Sequence, residues 1–271
     1  MDYRKVISFG KSSFVISLPK TWIKQNNIKK GQLVYVNVKE NDLLVSAKEE
    51  KDQIYTSITI NVDGKNIGLI TRELNAAYIE NNREIILEGK ELKEKSKELL
   101  EITRQLIALE VLELDSQRIV TKDFLDMDKI SIIDLMKKID MIVRSMLKDC
   151  INSFDEENAE NINLRDKDVN RLSFLLFRII RYGLSNQANM FKTQNFRAID
   201  LLNEYWTTFH LEAIADEIKR VSRGMARVSI SKSKQKEFKK IISDVEEFYT
   251  QVIKAHYSKT RPKALALSEY K

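Results

Sequence analysis

The sequence predicts an α+β protein with a strand-rich head and a long helical body, and three observations carry that reading. Charged residues make up 32% of the 271 residues, with only seven Gly and two Pro, which favours long solvated helices over an all-β architecture. Apolar periodicity changes along the chain, from short alternating runs near the N-terminus to purely helical repeats after Asp128. Positive charge is also localised. Residues 1–48 hold nine basic and three acidic residues, a net of +6 that equals the net charge of the whole chain. Such a small unit carrying all the excess charge suits a polyanionic partner.

Residues 3–8 and 14–18 read as short strands around the turn Gly10-Lys11-Ser12-Ser13. Pro19 fits the first turn of a helix, where its missing N–H costs nothing, and that helix runs to about Asn27 with Trp22 and Ile23 turned inward. After Lys29-Lys30-Gly31, residues 33–38 and 43–47 form two further strands joined at Asn41-Asp42. A unit of this size buries little core by itself, and the single cysteine, Cys150, rules out an intrachain disulfide. A dimer is the expected solution. The lone cysteine also points to a reducing compartment. The N-terminus shows no signal-peptide pattern, and no apolar run approaches the roughly 20 residues that span a bilayer, so a cytoplasmic protein without membrane insertion is expected.

Gly10, Ser12, Val15, Leu18, Pro19, Lys20 and Trp22, followed by Ile28-Lys29-Lys30-Gly31-Gln32, resemble the AbrB/MazE/SpoVT family of DNA-binding domains. The likeness covers nearly all of residues 3–47. It implies a homodimer in which two chains interleave their hairpins into one swapped-hairpin β-barrel that binds double-stranded DNA. Mapped by position, Arg4, Lys5, Lys11 and Ser12 would touch the DNA, flanked by Lys20 and Lys24. Gln32 departs from the family, which more often has Asp there.

A charged linker at 49–53 leads to a small βαβαβ module over 54–125. Its expected elements are a strand at 54–62, a helix at 67–79, a strand at 83–87, a helix at 90–114 and a strand at 118–121. It has no Gly-rich phosphate loop and no His or Cys cluster, so it reads as a structural or dimer-supporting module.

Residues 128–258 predict an antiparallel bundle of four helices, at about 129–157, 164–190, 195–225 and 232–257. A basic tail at 259–271 reads as disordered. Two stretches carry chemistry. Glu212 and Asp216 are four apart on one helix face and continue a stripe of Leu202, Tyr205 and Phe209 expected to face the interior. Asp166 and Asn170 likewise continue the stripe of Phe174 and Phe177. Carboxylates on a core stripe are costly unless paired or metal-bound, so the four side chains could clamp a divalent or ferric ion such as Fe, Zn or Mg. Without metal they could take up protons, recruit water, or pair with Arg171, Lys219 or Arg220.

The stretches Asp166–Arg178 and Leu211–Val221 resemble the paired acidic motifs of the PhoU family, over roughly residues 129–257. That family implies a helical bundle holding a multinuclear metal cluster and repressing phosphate uptake. An AbrB-type domain before a PhoU-type bundle is similar to archaeal phosphate-uptake regulators. Asn170 stands where the family usually has a carboxylate, and only one motif pair is clear.

His210 and His256 lack a nucleophile arrangement, and Cys150 lies in an apolar helix, so no enzyme is expected. The leading expectation is a dimeric transcriptional regulator of phosphate homeostasis with a metal-binding sensory bundle. The alternative is an adaptor that inhibits a phosphate transporter ATPase or its sensor kinase without binding DNA. An antitoxin-like regulator is the third.

Overall fold

A computed structural model describes residues 3–39, 42–47, 56–152, 154 and 156–269. The chain divides into two compact units, residues 1–54 and 55–271. The linker expected at 49–53 lies outside the described residues.

The first unit is two hairpins and a short helix. Strands β1 (Ile7–Phe9) and β2 (Ser13–Val15) pair antiparallel, with Gly10 at φ +72° turning the chain between them. Helix α1 (Lys20–Gln25) starts after Pro19, which sits one position earlier than expected, at the N-cap. Strands β3 (Tyr35–Lys39) and β4 (Asp42–Ser46) form the second antiparallel hairpin. The two hairpins are separate two-stranded sheets within one chain, so a single copy holds no barrel. None of the unit's described residues is buried; Trp22 and Ile23 are only half-buried.

The second unit begins with a four-stranded mixed sheet. Strands β5 (Ser57–Asn61) and β6 (Glu84–Glu88) are parallel, joined by helix α2 (Ile67–Ile79). The Asn66 side chain caps α2 by accepting from Leu69 N–H at 2.8 Å. Helix α3 (Leu92–Gln105) then leads to β7 (Leu109–Leu114) and β8 (Arg118–Asp123), giving the sheet order β5-β6-β8-β7. The expected helix at 90–114 therefore breaks. Ala108 adopts a left-handed φ of +63°, and Leu109–Leu114 continue as a strand that pairs antiparallel with β8 across a bulge. The module is βαβαββ, one strand more than expected. Helices α2 and α3 close a core of Ile60, Ile70, Leu74, Tyr78, Leu87 and Leu99.

The helical part follows without a break. Helix α4 (Ile132–Cys150) is capped by Ser131, whose Oγ accepts from Asp134 N–H at 3.2 Å. Helices α5 (Glu156–Ser185), α6 (Gln187–Gln194), α7 (Ala198–Arg227) and α8 (Lys232–Ser258) complete the bundle. Helix α5 packs along α7 and α4, while α4 also touches α7 and α8. Gly183 allows the close approach near the α5–α6 break: a Cβ there would lie 2.8 Å from Met190 Cε and 3.0 Å from Leu201 Cδ1. The tail expected to be disordered instead forms helix α9 (Arg261–Ser268), with Pro262 in its first turn, packed against α8. No helix among the described residues is long and apolar enough to cross a membrane.

A buried charged side chain helps to tie the module to the bundle. Arg178 of α5 is fully buried and donates from Nη2 to Asp123 Oδ2 at 2.7 Å and from Nε to Asn81 Oδ1 at 3.2 Å. Its guanidinium lies 4.4 Å from the Tyr78 ring centroid. Arg83 donates to the same Asp123 oxygen at 3.1 Å. Phe174, one turn earlier on α5, packs into the module's core.

Candidate functional site

The predicted DNA-contact residues all lie in the first unit, and all are exposed. Arg4 and Lys5 precede β1, whereas Lys11 and Ser12 form the turn at the other end of the same hairpin. At about 3.3 Å per residue this strings them roughly 15 Å along the hairpin rather than into one knot. Lys20 and Lys24 stand four apart on one face of α1. The arrangement is an extended strip of exposed, mostly basic side chains, of a kind suited to following a phosphate backbone.

The same unit carries an unusual apolar load on its outside. Tyr3 is 87% exposed, Phe9 70%, Phe14 74%, Leu33 79% and Val38 73%. Side chains of this size, left exposed with no buried neighbour among the described residues, suit an interface better than a finished core.

The predicted metal residues lie in the second unit and do converge. Asp166 and Asn170 project from α5, and Glu212 and Asp216 from α7. At their centre is a cation supplied by the chain. Lys219 Nζ donates to Asp166 Oδ2 at 2.6 Å and to Asp216 Oδ1 at 2.5 Å. Asn170 Nδ2 faces the same Asp166 oxygen at 3.4 Å. Asp166 is only 3% exposed, and its Oδ1 accepts no hydrogen bond from the described residues. Burial raises the Glu212 pKa, and the charges of Asp216 and Asp166 raise it further, while Lys219 pulls it partly back. Burial depresses the Lys219 ammonium, but its hydrogen bonds to Asp166 and Asp216 outweigh that and hold its pKa above the ordinary lysine value.

As a metal site the arrangement fits poorly. Both polar neighbours of Asp166 Oδ2 are donors, and no group of three or more His, Cys, Asp or Glu among the described residues has the geometry to hold an ion. Of the three side chains named from sequence as possible partners, Lys219 is the one inside the cluster. Arg171 instead donates to Gln105 O at 3.0 Å, and Arg220 pairs with Glu217.

The stripe of Leu202, Tyr205 and Phe209 does not face the interior. They are 45%, 40% and 46% exposed. The core side of α7 is instead Leu201, Thr208, Leu211, Ala215, Ile218 and Met225. Both rows repeat at helical spacing, and the mostly aliphatic, less bulky one is the one buried in the bundle. Trp206 and Phe209 meet edge to face at 5.9 Å, beside Tyr205, which packs on Phe177 at 4.8 Å. This leaves a broad aromatic face on the outside of α7.

The Arg178–Asp123 joint escaped the sequence reading. Its signal was present: a single arginine inside the otherwise apolar run Phe174-Leu-Leu-Phe-Arg178-Ile-Ile. A charge in such a run is either a functional group or a buried pair.

No curated protein and no solved structure matches the chain. Residues 7–53 match the model of the MazE family, described as antidote-toxin recognition MazE, bacterial antitoxin. The first unit is thus a MazE/AbrB-like domain, consistent with a DNA-binding regulator.

Proposed function

We propose that the chain is a homodimeric, DNA-binding transcriptional regulator, with the first unit as its DNA-binding and dimerisation domain. The observation that carries this is the pairing of a basic strip with a coreless apolar exterior in the segment that matches MazE. A second copy would supply the missing core by joining four hairpins into one barrel, leaving Arg4, Lys5, Lys11, Ser12, Lys20 and Lys24 of both chains facing DNA. The second unit has its own cores and acts as the regulatory body. Its likeness to the PhoU bundle over residues 129–257 points to phosphate uptake as the process controlled.

The test is DNA binding by the purified full chain as salt is varied. With six to ten phosphates neutralised, affinity should fall about 10³- to 10⁵-fold between 50 and 200 mM salt. Sedimentation of the same sample should give a dimer. Absence of salt-sensitive binding to any duplex, with the dimer intact, would overturn the DNA reading. Footprinting in cells starved of phosphate tests the finer claim, which fails if the bound sites lie away from phosphate-transport genes.

A second reading is favoured by the aromatic face of α7. Ile199, Leu202, Tyr205, Trp206 and Phe209 form an exposed apolar strip that suits a protein partner. On this reading the body is an adaptor that docks on a transporter ATPase or sensor kinase, and the head serves only to dimerise.

A further inference from the structure

The acidic cluster between α5 and α7 contains its own cation. We propose that Lys219 is the resident counter-ion of Asp166, Glu212 and Asp216, so that the wild-type chain takes up no metal there, and that removing this ammonium uncovers a site for a hard divalent cation.

The geometry supports this from three directions. Asp166 is buried, and its Oδ2 is approached by two donors, Lys219 Nζ at 2.6 Å and Asn170 Nδ2 at 3.4 Å. A metal ion coordinated by that oxygen would meet an ammonium at contact distance, and like charges this close repel strongly in a partly desolvated site. Lys219 also reaches Asp216 Oδ1 at 2.5 Å, so one side chain bridges the two helices as a divalent ion would. Finally, Asp166 Oδ1 is buried without a hydrogen bond from the described residues, while Glu212 stands near enough for the Asp166 charge to be felt there. The cluster therefore keeps more carboxylate capacity than one ammonium can satisfy. Three carboxylates against one lysine leave two negative charges. Take the lysine away and three remain around one buried oxygen pair, with Asn170 able to turn its carbonyl inward. Such an oxygen set suits Mg²⁺ or Mn²⁺ rather than a thiophilic metal.

Lys219 lies three residues after Asp216, on the helix face that turns toward α5. Its placement also accounts for Asn170. With one ammonium already outnumbered by three carboxylates, a fourth would add further uncompensated charge, and an amide donor is the better neighbour for Asp166.

The experiment uses the full chain and Mn²⁺, followed by calorimetric titration and by thermal melting. Wild type should bind no stoichiometric Mn²⁺ and show no shift in Tm. Lys219→Met, which keeps the apolar stem, should bind Mn²⁺ at least about tenfold more tightly than wild type, as expected when a unit charge is removed at close range. Its Tm should rise with Mn²⁺, and adding Asp166→Asn should abolish the rise. Should Lys219→Met not fold alone, recovery of its helical signal on adding Mn²⁺ supports the proposal equally, and Lys219→Gln repeats the test with a milder change. A saturable Mn²⁺ response in wild type that Asp166→Asn removes would overturn it, because a metal would then be displacing Lys219. A folded Lys219→Met or Lys219→Gln protein indifferent to Mn²⁺ would overturn it too, as would failure of both variants to fold with the ion present.

Discussion

Replacing Arg178 with Met should loosen the second unit more than any exposed change, and its size can be worked from the structure. Arg178 and Asp123 have fully buried side chains, so removing the guanidinium strands a carboxylate away from water. Breaking a buried pair by deleting one partner typically costs about 3–5 kcal/mol. Arg83 moderates the loss, because it still donates to Asp123 Oδ2 at 3.1 Å. The contact with Tyr78 works the other way, since a desolvated cation–π pair contributes about 2 kcal/mol. These two adjustments act in opposite directions, so the expected cost for Arg178→Met stays at about 3–5 kcal/mol at neutral pH. For a unit of this size that is a fall in Tm on the order of 10 °C.

Asp123→Ala should cost more than Arg178→Met, because it takes the shared anion from two guanidinium groups, one of them wholly buried, and leaves them only the neutral acceptors Leu125 O and Asn81 Oδ1. Replacing both members by apolar residues should recover much of the loss, as is usual for buried pairs. Urea denaturation followed by far-UV circular dichroism gives all three values, and the double-mutant cycle gives the coupling. Arg178 joins the sheet module to the bundle, so Arg178→Met should also broaden or split the transition. A loss below about 1 kcal/mol, with a single sharp transition, would refute the claim that this joint holds the two parts together.

Charge reversal of Arg4 and Lys5 should weaken binding to every DNA sequence about equally and flatten the salt dependence, as measured by fluorescence anisotropy. Glu212→Gln should raise Tm at pH 7 and make no difference near pH 4. The Glu212 pKa is raised by burial and by Asp216 and Asp166, against the pull of Lys219, so folding takes up protons and stability falls as pH rises through the shifted value. Cys150 is 1% exposed and burial pushes its thiol to about 11, so at pH 8 a disulfide reagent should label it quickly only after unfolding. On dilution below the dimer dissociation constant, hydrogen exchange should speed up in residues 7–46 while α4, α5 and α7 stay protected.

Where one face of an element meets a core, the sequence was readable. Helix α2 falls at 67–79 as expected, because Ile70, Leu74, Ala77 and Tyr78 form one buried stripe and Asn66 starts it. Reading failed where two apolar stripes competed. On α7 the aromatic row and the row of Leu201, Leu211, Ala215 and Ile218 both repeat at helical spacing, and the smaller residues pack inside, since helix–helix contact selects for size as well as hydrophobicity. It failed again at Leu106–Ala108, where a left-handed residue with no glycine to announce it turns helix into strand. That Asp166 and Asn170 share one helix face, and Glu212 and Asp216 another, was legible from i, i+4 spacing, but the identity of the cation between them was not. Spacing reports which face a side chain occupies and is silent about which of several nearby lysines and arginines reaches across to the next helix.

The two units answer the same physical problem in opposite ways. The second buries two apolar clusters of its own and spends a fully buried ion pair on locking them together. The first buries nothing among its described residues and keeps its large apolar side chains outside. A segment this short loses too much conformational entropy on folding to be held by turns and a six-residue helix alone. On the proposed reading its order comes from association, and the basic strip would be assembled as a DNA-binding surface only when two chains meet. On that proposal, a partner or ligand acting on the self-sufficient body would control DNA binding without touching the strip, by favouring or opposing that meeting. The exposed aromatic row on α7 is the surface in the body best supplied for such an input.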